Sequence, residues 1–362
     1  MASGVRSAVP KLRSRAQGAA IPLDETDKRL LNALQSRFPL DPRPFETVAR
    51  EAGMDEAEAM DRAARLLRER IIREITPIFD TTALGYSSML VAAKVDLEQP
   101  HRAARIINEH PGVSHNYLRN HEFNLWFTIA TAPDSKLGLD GTLELLRDLS
   151  GAESSRKLPT LTLFKINMNL EMEGGTDKLA APVEAVDPQP RDPVPIDDFD
   201  VAVIRALQGP MEVRPDPYAP AAGRLGVPVE RLLEHLEGMV GRKVLRRVAA
   251  ILFHRRAGFS ANGMGVWKVP EEQIAEIGPR MAAVRGVSHC YRRPTYPDWP
   301  YSVFTMAHGR SKEECDAVLD GVAAVCGLAG EDRSTLYSST EFKKIRLHYF
   351  TPEYAQWEER NT

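Results

Sequence analysis

Two short segments of this 362-residue chain carry the same uncommon set of side chains. Residues 112–119 read Gly-Val-Ser-His-Asn-Tyr-Leu-Arg, and residues 286–293 read Gly-Val-Ser-His-Cys-Tyr-Arg-Arg. Side chains two apart in a strand share a face. His115, Tyr117 and Arg119, with His121 just beyond, therefore line one face, and His289, Tyr291 and Arg293 line its counterpart. Histidine and arginine are seldom buried without partners, so this is a poor recipe for a core. One reading is a sheet face closed by a dimer contact. The other is a ligand-binding face, which the double occurrence favours.

Arginine offers a forked donor that matches carboxylates. Tyrosine and tryptophan offer flat, partly apolar walls. Histidine passes protons or ligates a metal near neutral pH. Together these groups suit a flat, polycarboxylated, iron-containing ligand. A tetrapyrrole with acetate and propionate arms fits better than a small amino acid, which needs few charges and a small pocket.

The repeat extends through the chain. Leu23-Asp24 matches Ile196-Asp197, and Phe127-Thr128 matches Phe304-Thr305 with a small insertion. Each half opens on three short helices. In the first, Asp24 caps a helix carrying Leu30, Leu31 and Leu34. A second runs from about Phe45 to Ala52, and a third, about Asp55 to Arg70, sets Met60, Ala64 and Leu67 at helical spacing. Ile71 to Phe79 reads as an extended wing. In the second half helices start at Asp197, near Pro217 and at Val227, and the wing is about Lys243 to His254. Three helices and a β-hairpin make a winged helix-turn-helix. Each half then reads β-α-β-β-α-β, the ferredoxin-like order, with last strands at Leu158–Glu171 and Leu336–Phe350.

The expected architecture is thus α+β, two tandem copies of a winged helix-turn-helix plus a ferredoxin-like βαββαβ domain, folded as an intramolecular pseudo-dimer. The expected boundaries are a disordered tail at 1–20, helix-turn-helix units at 21–80 and 196–257, ferredoxin-like domains at 85–173 and 258–355, and a Pro-rich linker at 174–195.

Lys plus Arg number 47 and Asp plus Glu 50, a formal net charge of −3, so bulk charge demands no nucleic acid. The third helices carry Asp55, Glu56 and Glu58, and Glu230, Glu234 and Glu237, where a recognition helix would meet phosphate. Both helix-turn-helices read as degenerate scaffold. Arg246-Arg247 and His254-Arg255-Arg256 are the remaining argument for DNA, and a solvated wing or a carboxylate-binding rim accounts for them equally. Cys290, Cys315 and Cys326 have no metal-site spacing, which fits a reducing cytoplasm, and the last two read as small core residues. No apolar run reaches membrane-spanning length, and the first twenty residues lack the apolar core of a secretory signal. His101, His110, His235, His254 and His348 read as surface residues, and His308 as either buried or exposed.

A winged helix followed by a ferredoxin-like domain resembles the Lrp/AsnC regulators. The segment 114-SHNYLRNHEFNLWFT-128 resembles one siroheme decarboxylase subunit, and 287-VSHCYRRPTYPDWPYSVFTMAHG-309 resembles its partner subunit. The chain is similar to a fusion of the two, as in the routes to haem d1 and to haem through siroheme. The resemblance implies a carboxy-lyase that turns two acetate arms of siroheme into methyls, giving didecarboxysiroheme. The catalytic candidates are His115, His121, His289, Tyr117 and Arg119. Tyr291, Trp126 and Trp299 would wall the ring, and Asn124 lies beside them. Arg292, Arg293, Lys165, Lys344 and Arg346 would anchor the remaining carboxylates. No cofactor is expected beyond the iron carried by siroheme, to which His115, His121 or His289 could also be axial ligands. The competing function is a regulator of the Lrp/AsnC type that senses a tetrapyrrole or small molecule.

Overall fold

The computed structural model describes residues 23–166, 193–253 and 261–362. The expected tail, all but the end of the expected linker, the far end of the strand expected to reach Glu171, and the His254-Arg255-Arg256 cluster lie outside these residues.

In the first half α1 (Glu25–Ser36), α2 (Pro44–Ala52) and α3 (Glu56–Arg68) precede β1 (Ile72–Phe79). A reciprocal capping box starts α1: the Asp27 amide donates to Asp24 at 2.6 Å, and the Asp24 amide donates to Asp27 at 3.4 Å. The buried face of α3 is Ala59, Ala63 and Leu66, one residue before the expected Met60, Ala64 and Leu67. Two alanines let α3 approach its neighbours closely, and Met60 and Leu67 pack at the border of the core. Arg62 and Arg65 of α3 are held at 2.8 and 2.5 Å by the buried carboxylate of Asp27.

The second half repeats the plan with α6 (Asp198–Leu207), α7 (Ala219–Leu225), α8 (Val229–Gly241) and β7 (Leu245–Leu252). His235, expected at the surface, is half-buried, with Nε2 2.8 Å from Asp200, which Arg242 also holds.

Among the described residues the wings do not form hairpins. β1 pairs antiparallel with β7 of the other half, Ile75 opposite Ala250. After Phe79 the chain turns instead of doubling back, because Asp80 accepts the amides of Thr82 and Ala83 at 3.0 Å. The paired strands put Ile72, Ile75, Val248 and Leu252 into one core shared by both helical units.

The ferredoxin-like halves hold β2 (Ser87–Lys94), α4 (Pro100–Asn108), β3 (Val113–Arg119), β4 (Leu125–Thr131), α5 (Gly138–Ser150), β5 (Ser154–Leu158) and β6 (Thr162–Ile166), then β8 (Ala261–Trp267), α9 (Ile274–Ala283), β9 (Val287–Arg292), β10 (Val303–Gly309), α10 (Lys312–Cys326) and β11 (Arg333–Lys344). The strand order is β5-β2-β4-β3-β11-β8-β10-β9-β6. The single last strand expected in each half does two jobs. β11 pairs with its own β8 through Tyr337 and then, from Ser338, with β3 of the first half. The first half divides the same work between β5, on β2, and β6, on β9 of the second half. Each half therefore completes the edge of the other.

One face of each sheet packs on its helices. The opposite faces meet in a separate core of Ala92, Phe123, Trp126, Leu158, Met264, Val266, Trp299, Phe304 and Leu336. The register corrects the sequence match. Trp126 lies opposite Tyr117, and Phe304 lies opposite Tyr291. Trp126, not Phe127, is thus the counterpart of Phe304. A one-residue slip exchanges faces, and Phe127 accordingly packs toward the helices. The loop around Pro294–Pro300 is the longer insertion that sequence matching underestimated.

The sequence reading ended the domain at 355, but a last helix, α11 (Glu353–Asn361), returns to the first half. Trp357 packs edge-on, 4.5 Å from the ring of His110. His110 is 2% exposed and not at the surface as expected. Its Nδ1 accepts the Gly112 amide at 3.0 Å. Trp357→Ala is expected to cost about 3–5 kcal/mol, read as a lowered denaturant midpoint; an unchanged midpoint would show that α11 is only loosely docked.

Burial holds the His110 pKa down to about 3 from 6.5. Between those values the unfolded chain binds a proton that the folded chain refuses. This contribution to stability is therefore full above pH 6.5 and is lost as pH falls toward 3. The expected loss is on the order of 4 kcal/mol, measurable by urea unfolding across that range.

Candidate active site

β3 and β9 place the repeated motif on the face between the two sheets. His115, Tyr117 and Arg119 are half-buried there, while Asn116 between them points to α4, donating to Asn108 at 2.9 Å. Cys290 takes the same helix-facing position in the second half, its thiol pushed well above the usual range by burial. The motif glycine Gly112 admits the close pass of β4: a Cβ there would fall 1.7 Å from the Ala130 carbonyl oxygen.

The two arginines are related by the pseudo-twofold. Arg119 reaches across to donate to the Leu336 carbonyl at 3.0 Å, and Arg293 donates to the equivalent Leu158 carbonyl of the first half. Each guanidinium lies over two rings. Arg119 is 5.7 Å from both Tyr117 and Trp126; Arg293 is 4.9 Å from Tyr291 and 5.5 Å from Phe304. Neither has a carboxylate partner among the described residues, and the buried Nε of each has no hydrogen-bond partner there. Burial pushes both pKa values down to about 10. Each is thus a desolvated cation with one unused donor.

Burial, the Lys344 ammonium and the Arg73 guanidinium hold His115 at about 4, so its ring is neutral at pH 7. Lys344 lies opposite His115 on β11, and its charge also lowers His308 from the second half. His308 is half-buried, Nδ1 2.7 Å from Asn262, and its ring lies 6.5 Å from that of His289. His121 stands where the halves meet. Its ring packs edge-on, 5.1 Å from Trp299, and its Nδ1 accepts the Phe123 amide at 3.1 Å. That bond puts the proton of the neutral ring on Nε2. Burial lowers its pKa.

Trp126 and Trp299 are fully buried, their rings 5.3 Å apart. Trp126 donates to the Phe123 carbonyl at 2.7 Å, whereas the buried Trp299 Nε1 has no partner among the described residues. Arg156, bonded to Asp298, and Tyr296, bonded to the Lys157 carbonyl at 2.6 Å, pin the Trp299 loop to β5.

Other expected contributors lie elsewhere. Asn124 clamps both backbone groups of Val95, at 3.0 and 2.8 Å. Arg292 pairs with Glu271 at the surface. Arg346 is committed to Thr76 and the Pro77 carbonyl under the paired wings. Lys165 sits opposite Cys290, on the helix side, because the strand bulges after Leu163. Residues that sequence reasoning passed over are Arg73, Phe123, Tyr301, Phe304 and the two serines of the repeat. The serines carried a visible signal, their presence in both copies, and Phe304 belongs to the repeated Phe-Thr pair.

Residues 83–165 and 256–343 match the AsnC-like ligand binding domain, and residues 27–73 match the siroheme decarboxylase NirDL-like HTH domain. A siroheme decarboxylase of Hydrogenobacter thermophilus is 37% identical over 92% of this chain and 97% of its own. The chain belongs to the siroheme decarboxylase family. Its siroheme decarboxylase relatives include the NirDL subunit of Paracoccus pantotrophus, 32% identical over 89% of this chain and 96% of that one. A crystal structure of the siroheme decarboxylase NirDL in complex with an iron-uroporphyrin III analogue superposes with a TM-score of 0.73, at 32% identity, over 93% of this chain and 98% of that one. Siroheme decarboxylases are carboxy-lyases, and the tandem Lrp/AsnC-like pseudo-dimer is the fold of this one.

Proposed function

We propose that this chain binds siroheme between its two sheets and removes carbon dioxide from two acetate arms, giving didecarboxysiroheme. The observation that carries the reading is the pair of half-buried arginines, Arg119 and Arg293, each with a buried, unused Nε on the histidine-bearing face. An anionic macrocycle supplies the carboxylates that the protein does not. Those arms that are not cleaved are held by the two forks, and Trp126, Phe304 and the tyrosines flank the ring. The iron arrives with the substrate and leaves with the product.

Each step breaks the bond between the arm methylene and its carboxylate, leaves the electron pair on the methylene carbon and needs one proton to finish the methyl. His115 is the proton donor in this scheme. Its low pKa reflects burial and two cations. Substrate carboxylates offset those two cations, so binding shifts the pKa upward against the burial that is its larger cause. Anaerobic incubation with siroheme followed by mass analysis tests the reading. Two successive losses of carbon dioxide support it, and unchanged siroheme refutes it.

The helix-turn-helix units act as scaffold. Arg62 and Arg65 are tied internally to Asp27, and the first turn of α3 is acidic. The expected result on duplex DNA is no sequence-specific retention at moderate salt. Specific, salt-sensitive binding would favour the regulator instead.

A further inference from the structure

The serine of the repeated Gly-Val-Ser-His segment has no role in the scheme above. In both copies it is the extra residue of a β-bulge. Pairing on β4 skips from Val113 to His115, and pairing on β10 skips from Val287 to His289. A bulge breaks the strict alternation of faces, which brings neighbouring side chains together. Ser114 Oγ lies 2.9 Å from His115 Nδ1, and Ser288 Oγ lies 2.8 Å from His289 Nδ1.

The two pairs differ in where the hydroxyl proton goes. Ser288 Oγ is also 3.2 Å from the Met306 carbonyl oxygen, which can only accept. A hydroxyl has one proton to give. Ser288 donates it to Met306 and must therefore accept from Nδ1–H of His289. Ser114 is buried, and its hydroxyl proton meets no acceptor other than Nδ1 of His115 among the described residues. The favoured arrangement therefore has the hydroxyl donating to Nδ1 of the neutral ring, with the ring proton on Nε2.

We propose that Ser114 and Ser288 are positioning residues that set opposite tautomers, an Nε2–H on His115 and an Nε2 lone pair on His289. The catalytic consequence rests on the decarboxylase reading; the tautomers do not. The Ser114 hydroxyl is able to turn, donating to the neutral ring and accepting from the charged one. His115 is thereby suited to load and release a proton. Ser288 is held by Met306 and keeps the ring proton of His289 on Nδ1, which leaves Nε2 as an acceptor.

The test is long-range ¹H–¹⁵N spectroscopy of the full chain with ¹⁵N-labelled histidine, at neutral to alkaline pH and without substrate. The expected spectrum shows Nε2–H on His115 and Nδ1–H on His289. The same tautomer on both rings overturns the proposal without any variant. Ser288→Ala is expected to move His289 to the Nε2–H form and Ser288→Thr to restore Nδ1–H; an unmoved His289 in the Ala variant also overturns it. In turnover, Ser288→Ala is expected to lower kcat at least about tenfold with KM within about twofold, and Thr to recover most of it. If the tautomers are as stated but the parent chain leaves siroheme intact, the decarboxylase reading alone falls.

Discussion

Replacing His115 with alanine is expected to lower kcat for siroheme decarboxylation by about 10²–10⁴-fold, the usual contribution of a positioned proton donor. The effect falls on kcat because the proton is needed after the carbon–carbon bond yields, whereas the arginines do the holding. His121→Ala and His289→Ala provide the comparison. His121 packs against Trp299 where the two halves meet, so its loss should raise KM as well as lower kcat. Single-turnover measurements with siroheme in excess of its dissociation constant separate the two effects. Full turnover in His115→Ala would remove it from the acid role. Lys344→Met supplies a second check: without that ammonium the His115 pKa should rise above about 4, since a nearby cation disfavours the charged ring. An unshifted His115 titration would contradict the assignment.

Arg119→Met and Arg293→Met are each expected to weaken siroheme binding by about 30–160-fold, the loss of one charge-assisted contact worth roughly 2–3 kcal/mol. Folding stability should move by only about 1 kcal/mol, because removing a desolvated cation offsets the lost bond to Leu336 or Leu158. This pairing of results distinguishes an anion anchor from a structural strut. Titration of siroheme absorbance gives the affinity and denaturant unfolding gives the stability. Unchanged affinity with a large loss of stability would place the two arginines in the architecture and not in recognition.

The His-x-Tyr-x-Arg face was legible in the sequence because a strand has a period of two and the pattern occurs twice. The helices were legible because Asp24 and Asp197 mark their starts and leucines their buried faces. What escaped depends on contacts between distant segments. Nothing local distinguishes a wing that folds back as a hairpin from one that pairs with a wing in the other half, as β1 does with β7. Bulges are equally silent: Lys165 changed sides because of one, and Ser114 met His115 because of another. α11 has only Tyr354 and Trp357 to bury, too few for a periodic signal, so His110 beneath it read as exposed. Arg292 and Arg293 are adjacent and chemically alike; strand parity sends one to Glu271 and the other between the sheets.

β11 takes its pairing partners from both halves, and β3 is completed only by its distal part. During synthesis the first half therefore leaves the ribosome with a bare strand edge that stays uncovered until residues 338–344 emerge. Such an edge invites pairing with other nascent chains. A chain cut short before Ser338 would keep it permanently, which makes the last few dozen residues a condition for solubility of the first half as much as a part of the second.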